Sequence, residues 1–155
     1  MTATTRLNIG GLLLLALTLG NGCSKPTAGT LTLVPSGMNI TGGAMRNKNG
    51  SVVFWGNGKL QSKVYLEKGP VTITIRAAGN VVDGAGPVVT VDLEARIVGK
   101  LAVADKQQKE YVITTTAQNS GTSILGMSFD NHVKKETGLK GRWLVVEAVS
   151  ISQGG

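Results

Sequence analysis

The sequence predicts an all-β fold, an antiparallel β-sandwich, and three observations predict it. Residues 71–77 alternate without a break: Val71, Ile73, Ile75 and Ala77 face one way, while Thr72, Thr74 and Arg76 face the other. That period of two is the mark of a half-buried strand. The 22 glycines gather between short apolar runs, where tight turns need them. No segment carries a helical stripe; the one contender, residues 99–109 with Leu101, Val103 and Lys106, is too short and too weakly apolar.

In chain order, residues 30–34 alternate and stop at Pro35-Ser36-Gly37. Residues 42–50 (Gly-Gly-Ala-Met-Arg-Asn-Lys-Asn-Gly) read as a loop by composition. Residues 52–55 form an apolar run, and Asn57-Gly58 then marks a two-residue hairpin turn, since both central residues of such a turn need positive φ. Residues 59–66 make the return strand, and Gly69-Pro70 opens the strand that covers 71–77. A glycine-rich loop fills 79–87, and strands follow at 88–97, 110–116, 122–129 and 142–151. Seven to nine strands separated by turns point to a sandwich, with a closed barrel as the alternative. The last strand is apolar on both faces, with Trp143, Val145 and Val149 against Leu144, Val146 and Ala148. It is therefore a doubly covered central strand or carries a bulge near Ala148.

The chain has 155 residues, a one-domain length, and divides into a leader at 1–22, a tether at 23–30 and a binding domain at 31–155. Arg6 precedes an apolar stretch at 9–19, about half of what spans a bilayer, and Gly20, Asn21 and Gly22 follow it directly before Cys23. This pattern resembles the lipobox of bacterial lipoproteins, although Leu19 stands one place early and Gly20 takes the usual Leu position. The resemblance implies that the Cys23 thiol takes a diacylglyceryl group and becomes the mature N-terminus. Two or three acyl chains then hold the domain stably on a membrane, where one would not. Ser24 in place of an acidic residue implies the outer membrane or cell surface of the bacterial envelope.

The formal charge of +7 is scattered over the chain. Its densest cluster, Lys134, Lys135, Lys140 and Arg142, is interrupted by Glu136, and aromatic residues make up only 4%. Nucleic-acid binding, which needs a concentrated basic surface or stacking platforms, is not expected. Catalysis is not expected either. The chain has one histidine, His132, and acylation removes the one thiol. No Gly-x-Ser-x-Gly elbow presents a serine, and a zinc site would lack its nitrogen and sulfur ligands. Asp92 and Glu94, two apart on one strand, read as a solvated face.

From about residue 38 to 152 the order of features resembles carbohydrate-binding modules of the calcium-dependent, xylan-binding type. Trp55-Gly56-Asn57-Gly58 is similar to that family's Trp-x-Asn-Gly hairpin, and 69–77 to the strand after it. Gly86-Pro87 with 88–93, Phe129-Asp130-Asn131 and Arg142-Trp143-Leu144 match later motifs. The resemblance implies a jelly-roll-like sandwich that binds polysaccharide, with Asp130, Asn131, Arg142 and Trp143 as ligand-binding residues. It also implies a calcium site near Asp130 and Asn131, but two positions where the family carries aspartates hold His132 and Gly141 here. Calcium takes six to eight oxygens with carboxylates supplying charge, so the site is expected to be weakened or lost. Core packing is the ordinary expectation for Trp55 and Trp143, loop bracing for Asn131 and Arg142, and a turn for Asp83. A protein-interaction lipoprotein that kept the sandwich and lost the sugar site is the alternative.

Overall fold

The structure is a computed structural model that describes residues 29–134 and 141–154. The leader, Cys23, Lys135, Glu136 and Lys140 lie outside the described residues. Among the described residues nine strands follow in order: β1 (Thr30–Leu33), β2 (Asn39–Arg46), β3 (Val52–Leu66), β4 (Gly69–Gly79), β5 (Val88–Leu93), β6 (Arg96–Ala102), β7 (Lys109–Ala117), β8 (Gly121–Phe129) and β9 (Leu144–Gln153). All pairings are antiparallel. The ladder runs β6-β5-β8-β3-β9-β4-β7, with β2 on β3 and β1 on β9.

This ladder folds into two layers because β3 belongs to both. Its first residues, Val52–Phe54, pair with Val146–Leu144 of β9, and Gly58–Leu66 pair with β8. The front layer is therefore β6-β5-β8-β3-β2 and the back layer β7-β4-β9-β1. Alternation along each strand sends one apolar row inward. Leu60, Val64, Val91, Leu93, Leu125 and Met127 come from the front, and Val71, Ile73, Ile75, Ile113, Val149 and Ile151 from the back. These side chains form one core and are removed from water, each large aliphatic contributing about 1.5–3 kcal/mol. Phe54 and Phe129 meet edge to face at 6.2 Å and close one end of that core.

The observed strands follow the alternation closely at 69–79, 109–117 and 121–129, and depart from expectation at four places. Asn57-Gly58 makes no hairpin; β3 runs straight through it. Three residues, Trp55, Gly56 and Asn57, bulge opposite Gly43 of β2, between the pairs Gly42↔Gly58 and Ala44↔Phe54. Backbones approach so closely there that a Cβ on Gly42 would lie 2.3 Å from the Asn57 carbonyl oxygen. Glycine thus serves contact between strands at this corner, which turn rules do not anticipate. Residues 42–46 consequently belong to β2, and only 47–50 turn back.

The run at 88–97 is two strands, not one, joined at Glu94 and Ala95. Both central residues have positive φ, 54° and 58°, with no glycine or asparagine to announce the turn. Trp55 is 51% exposed and packs in no core.

Of the two readings open for the last strand, double coverage or a bulge near Ala148, the structure shows the bulge. In β9 the residue Glu147 is extra: Arg76 faces Ala148 and Ala77 faces Val146. The inward set therefore changes from Leu144 and Val146 to Val149 and Ile151, which is why both faces read as apolar in sequence.

Positive φ at Ala95 carries a left-handed penalty that glycine avoids. Ala95→Gly is expected to raise stability by about 1 kcal/mol in urea unfolding, despite the greater freedom glycine gives the unfolded chain. A decrease would mean that the turn is held by something other than its backbone geometry.

Candidate functional site

Two places on the sandwich gather polar chemistry. The first is the loop end above Phe129, where the loop after β4, the segment after β8 and the entry to β9 converge. Arg142 stands immediately before β9 and is only 5% exposed. Its guanidinium donates through Nε to the Ala85 carbonyl at 3.1 Å and through Nη2 to the Val82 carbonyl at 2.9 Å. Nη1 donates to the Asn131 carbonyl. A buried cation is tolerable only when its donors are met, and here three backbone oxygens from two loops meet them. Asn131 bridges in the same way. Its Oδ1 accepts the Val88 N–H at 2.8 Å and its Nδ2 donates to the Gly86 carbonyl at 3.0 Å.

His132 completes the bracing. Its backbone N–H donates to Asn57 Oδ1 at 2.9 Å, and its ring Nδ1 lies 2.7 Å from the Arg142 carbonyl. A carbonyl only accepts, so Nδ1 carries the proton. The ring stands edge-on to Phe129 at 6.3 Å. Asn80 ties the third segment down, donating to the Gly141 carbonyl at 2.9 Å and accepting the Trp143 N–H at 2.7 Å. The structure thus brings Asn131, Arg142 and Trp143 to one end, with Asp130 exposed beside them and Trp143 half-buried. The polar atoms of Asn131 and Arg142 face the backbone of the loops they join. Asn57 and Asn80 do equal work there, although the first read as a turn residue and the second stood inside a loop; only the folded contacts single them out.

The same geometry tests the calcium expectation. The Asn131 amide oxygen is engaged by an N–H, and the Val82, Ala85 and Asn131 carbonyls are engaged by a guanidinium whose positive charge opposes a second cation. Among the described residues no group of three or more His, Cys, Asp or Glu is gathered to hold a metal. This cluster does not fit calcium, which needs a set of free oxygens with net negative charge.

The second place is an open groove of about 740 Å³ on the outer face of the front layer. Outward positions of β3, β8 and β5 form its floor, and the turns at 94–95 and 119–120 form its rim. Lys59 and Asp92 meet across it at 3.1 Å, with side chains 33% and 18% exposed. Gln61 and Thr122 lie along the floor. Glu94 fixes the rim by accepting the Gln118 N–H at 3.0 Å and the Asn119 N–H at 3.3 Å. Asp92 and Glu94 are more than an idle solvated face: one is ion-paired in the groove and the other holds its edge.

No family sequence profile matches the chain, and a search of curated proteins gives no match. Solved structures do resemble it. The CBM36-1 domain of a multidomain xylanase from the hindgut metagenome of Trinervitermes trinervoides superposes with a TM-score of 0.67 at 16% identity, over 82% of this chain and 99% of that one. The C-terminal CBM6 of a marine laminarinase from Zobellia galactanivorans gives 0.60 at 16% identity, over 81% of this chain and 100% of that one. A CBM36 module solved with calcium and xylotriose gives 0.57 at 17% identity, over 79% and 99%. At such identity the likeness establishes the fold, which is the jelly-roll sandwich of carbohydrate-binding modules.

Two predictions follow from the loop end. Arg142→Met is expected to cost about 3 kcal/mol in urea unfolding, because each orphaned buried carbonyl costs about 1–3 kcal/mol; a loss near zero would show the braces to be idle. A bound ion at 100 times its dissociation constant would add about 2.7 kcal/mol of stability. Melting curves in calcium and in EDTA are expected to coincide, and a rise in calcium alone would reveal a site elsewhere.

Proposed function

We propose that the protein is a polysaccharide-binding domain held at a bacterial membrane by acyl groups on Cys23. The observation that carries the binding reading is the open groove, lined by an ion pair, an amide and a hydroxyl, on a sandwich shared with carbohydrate-binding modules. Sugars are bound by just such arrays of donors and acceptors in shallow clefts, where hydroxyls replace water one for one. The loop end serves this reading as a rigid base, with Arg142 and Asn131 spent on internal bonds. Asp130 and Trp143 there remain available as secondary contacts. The anchoring reading rests on the leader and on Cys23, and it places the domain on the envelope surface.

The protein-interaction alternative has its own support in Trp55 and Met45, 51% and 56% exposed on the β2–β3 corner. Exposed aromatic and thioether groups of this size are common at protein contacts. A screen separates the two. Retention of the protein on immobilised xylan, galactan or acidic polysaccharide is the expected result, and it should persist in Trp55→Ser. No retention on any glycan, with or without calcium, would leave the interaction reading standing. Metabolic labelling with palmitate is expected to mark the wild type and to fail in Cys23→Ala; equal labelling would refute the anchor.

A further inference from the structure

We propose that the turn end of the sandwich, opposite the loops braced by Arg142, docks on lipid headgroups through Tyr65, Ile124, Lys63 and Lys68, so that the anchored domain holds its loop end away from the membrane. This rests on the acyl anchor at Cys23 and goes beyond it by assigning a lipid-facing surface and an orientation.

The first argument is where the chain enters. Thr30 opens β1 and pairs with Ser152 near the end of β9. The next residue, Gln153, is tied to Glu67: its Oε1 accepts the Glu67 N–H at 2.9 Å and its Nε2 donates to the Glu67 carbonyl at 2.7 Å. The Lys68 N–H donates to Ser120 Oγ at 2.9 Å. The entry of the chain, the 67–68 turn and the 118–120 turn therefore share one end. The loop end is the other. Along β4, Thr72 stands opposite Ser152 and Gly79 opposite Leu144. The rise from Thr72 to Gly79 is about 23 Å, and Val81 lies beyond it.

The segment from Cys23 to Thr30 spans about 25 Å at full extension. Were the loop end on the lipid, that segment would have to run straight along the wall of the domain and give up its conformational freedom. With the turn end on the lipid it reaches the surface without that stretch.

The second argument is what the turn end carries. Lys63 and Tyr65 occupy outward positions of β3, and their partners on β8 are Ile124 and Thr122. The alternate residues Val64, Leu66 and Leu125 turn into the core. Tyr65 is 63% and Ile124 47% exposed, and Lys63 and Lys68 are exposed beside them. A phenol, an aliphatic group and two ammonium groups on one rim match the boundary of a bilayer. Tyrosine rests its ring at headgroup depth with its hydroxyl in water, and lysine stems lie on apolar groups while their ammonium ends meet phosphates.

The charges favour the same partner. Exposed Arg96 adds a third cation. Glu67 and Glu94 stand at this end too, Glu67 accepting the Ser120 hydroxyl at 2.8 Å and Glu94 accepting the Gln118 and Asn119 N–H groups. Three cations against two carboxylates leave a positive balance, which suits anionic headgroups. Asp92, higher on the sheet, is paired with Lys59, which lies about 20 Å along β3 from Tyr65. That ion pair of the groove stays clear of the headgroups.

The test uses the full lipidated chain in vesicles containing phosphatidylglycerol. Because acylation occupies Cys23, Thr122→Cys beside Tyr65 and Val81→Cys at the loop end each supply the free thiol for a fluorescent label. A nitroxide on the lipid headgroup is expected to quench the label at 122 and to spare the label at 81. Adding Lys63→Glu, a change of two charge units at about fivefold each, should lower the ratio of docked to undocked protein about thirtyfold, read as lost quenching at 122 while the protein still floats with the vesicles. Quenching at 81 equal to that at 122, or quenching at 122 that survives Lys63→Glu combined with Tyr65→Ser, would overturn the docking and leave the anchor standing. Disulfide-linked dimers of Thr122→Cys without quenching would make the patch a contact between copies and overturn it too. A chain whose Cys23 takes the label and which does not float would remove the anchor itself.

Discussion

One strand carries the backbone ladder between the two layers, and it can do so only where no side chain keeps it from its neighbour. At the β2–β3 corner, Gly42 and Gly43 let the backbone of β3 bulge by three residues. Before the bulge β3 lies in the back layer beside β9; after it, in the front layer beside β8. Both inner faces become one core as a result, with Phe54 at the crossing and Phe129 against it. A larger residue at position 42 would separate the strands by a steric clash with main-chain atoms, which cannot rotate aside.

The loop end hangs from that corner. Asn57, within the bulge, holds the His132 backbone, and the His132 ring rests against Phe129. Arg142 then gathers carbonyls from both the 82–85 turn and the 131 segment. The guanidinium does with fixed donors what a metal ion would do with open coordination positions. It neutralises converging carbonyl dipoles and fixes loop spacing, without dependence on free ion concentration. Preorganised loops of this kind lower the entropic cost that binding would otherwise incur.

The front layer shows a different use of the same backbone rule. Gly126 is missing a side chain so that two charged groups can meet above it. Nearby, the positive φ angles of Glu94 and Ala95 are strain kept at a groove rim, and the Glu94 carboxylate bonds to two N–H groups of the facing turn. Stiff rims and a glycine floor give the groove a shape that does not have to be formed on contact.

Sequence alone determined the fold class and most strand positions, because alternation at 71–77, 110–116 and 122–129 records which side chains leave water. It also signalled the irregularity in the last strand, since a bulge at Glu147 writes itself as an apolar run on both faces. The jelly-roll expectation, carried by loose motifs, agrees with the superposed modules. Tertiary structure decided the rest. Asn57-Gly58 has the local chemistry of a hairpin, but a neighbouring strand at contact distance uses its glycine for packing. Glu94-Ala95 has no turn chemistry at all, yet the pairing of β5 with β6 turns the chain there. The roles of Arg142, Asn80 and the Lys59–Asp92 pair depend on residues 11 to 63 positions away. Local patterns record burial, whereas the partners of a polar side chain are fixed only when distant strands are brought into register.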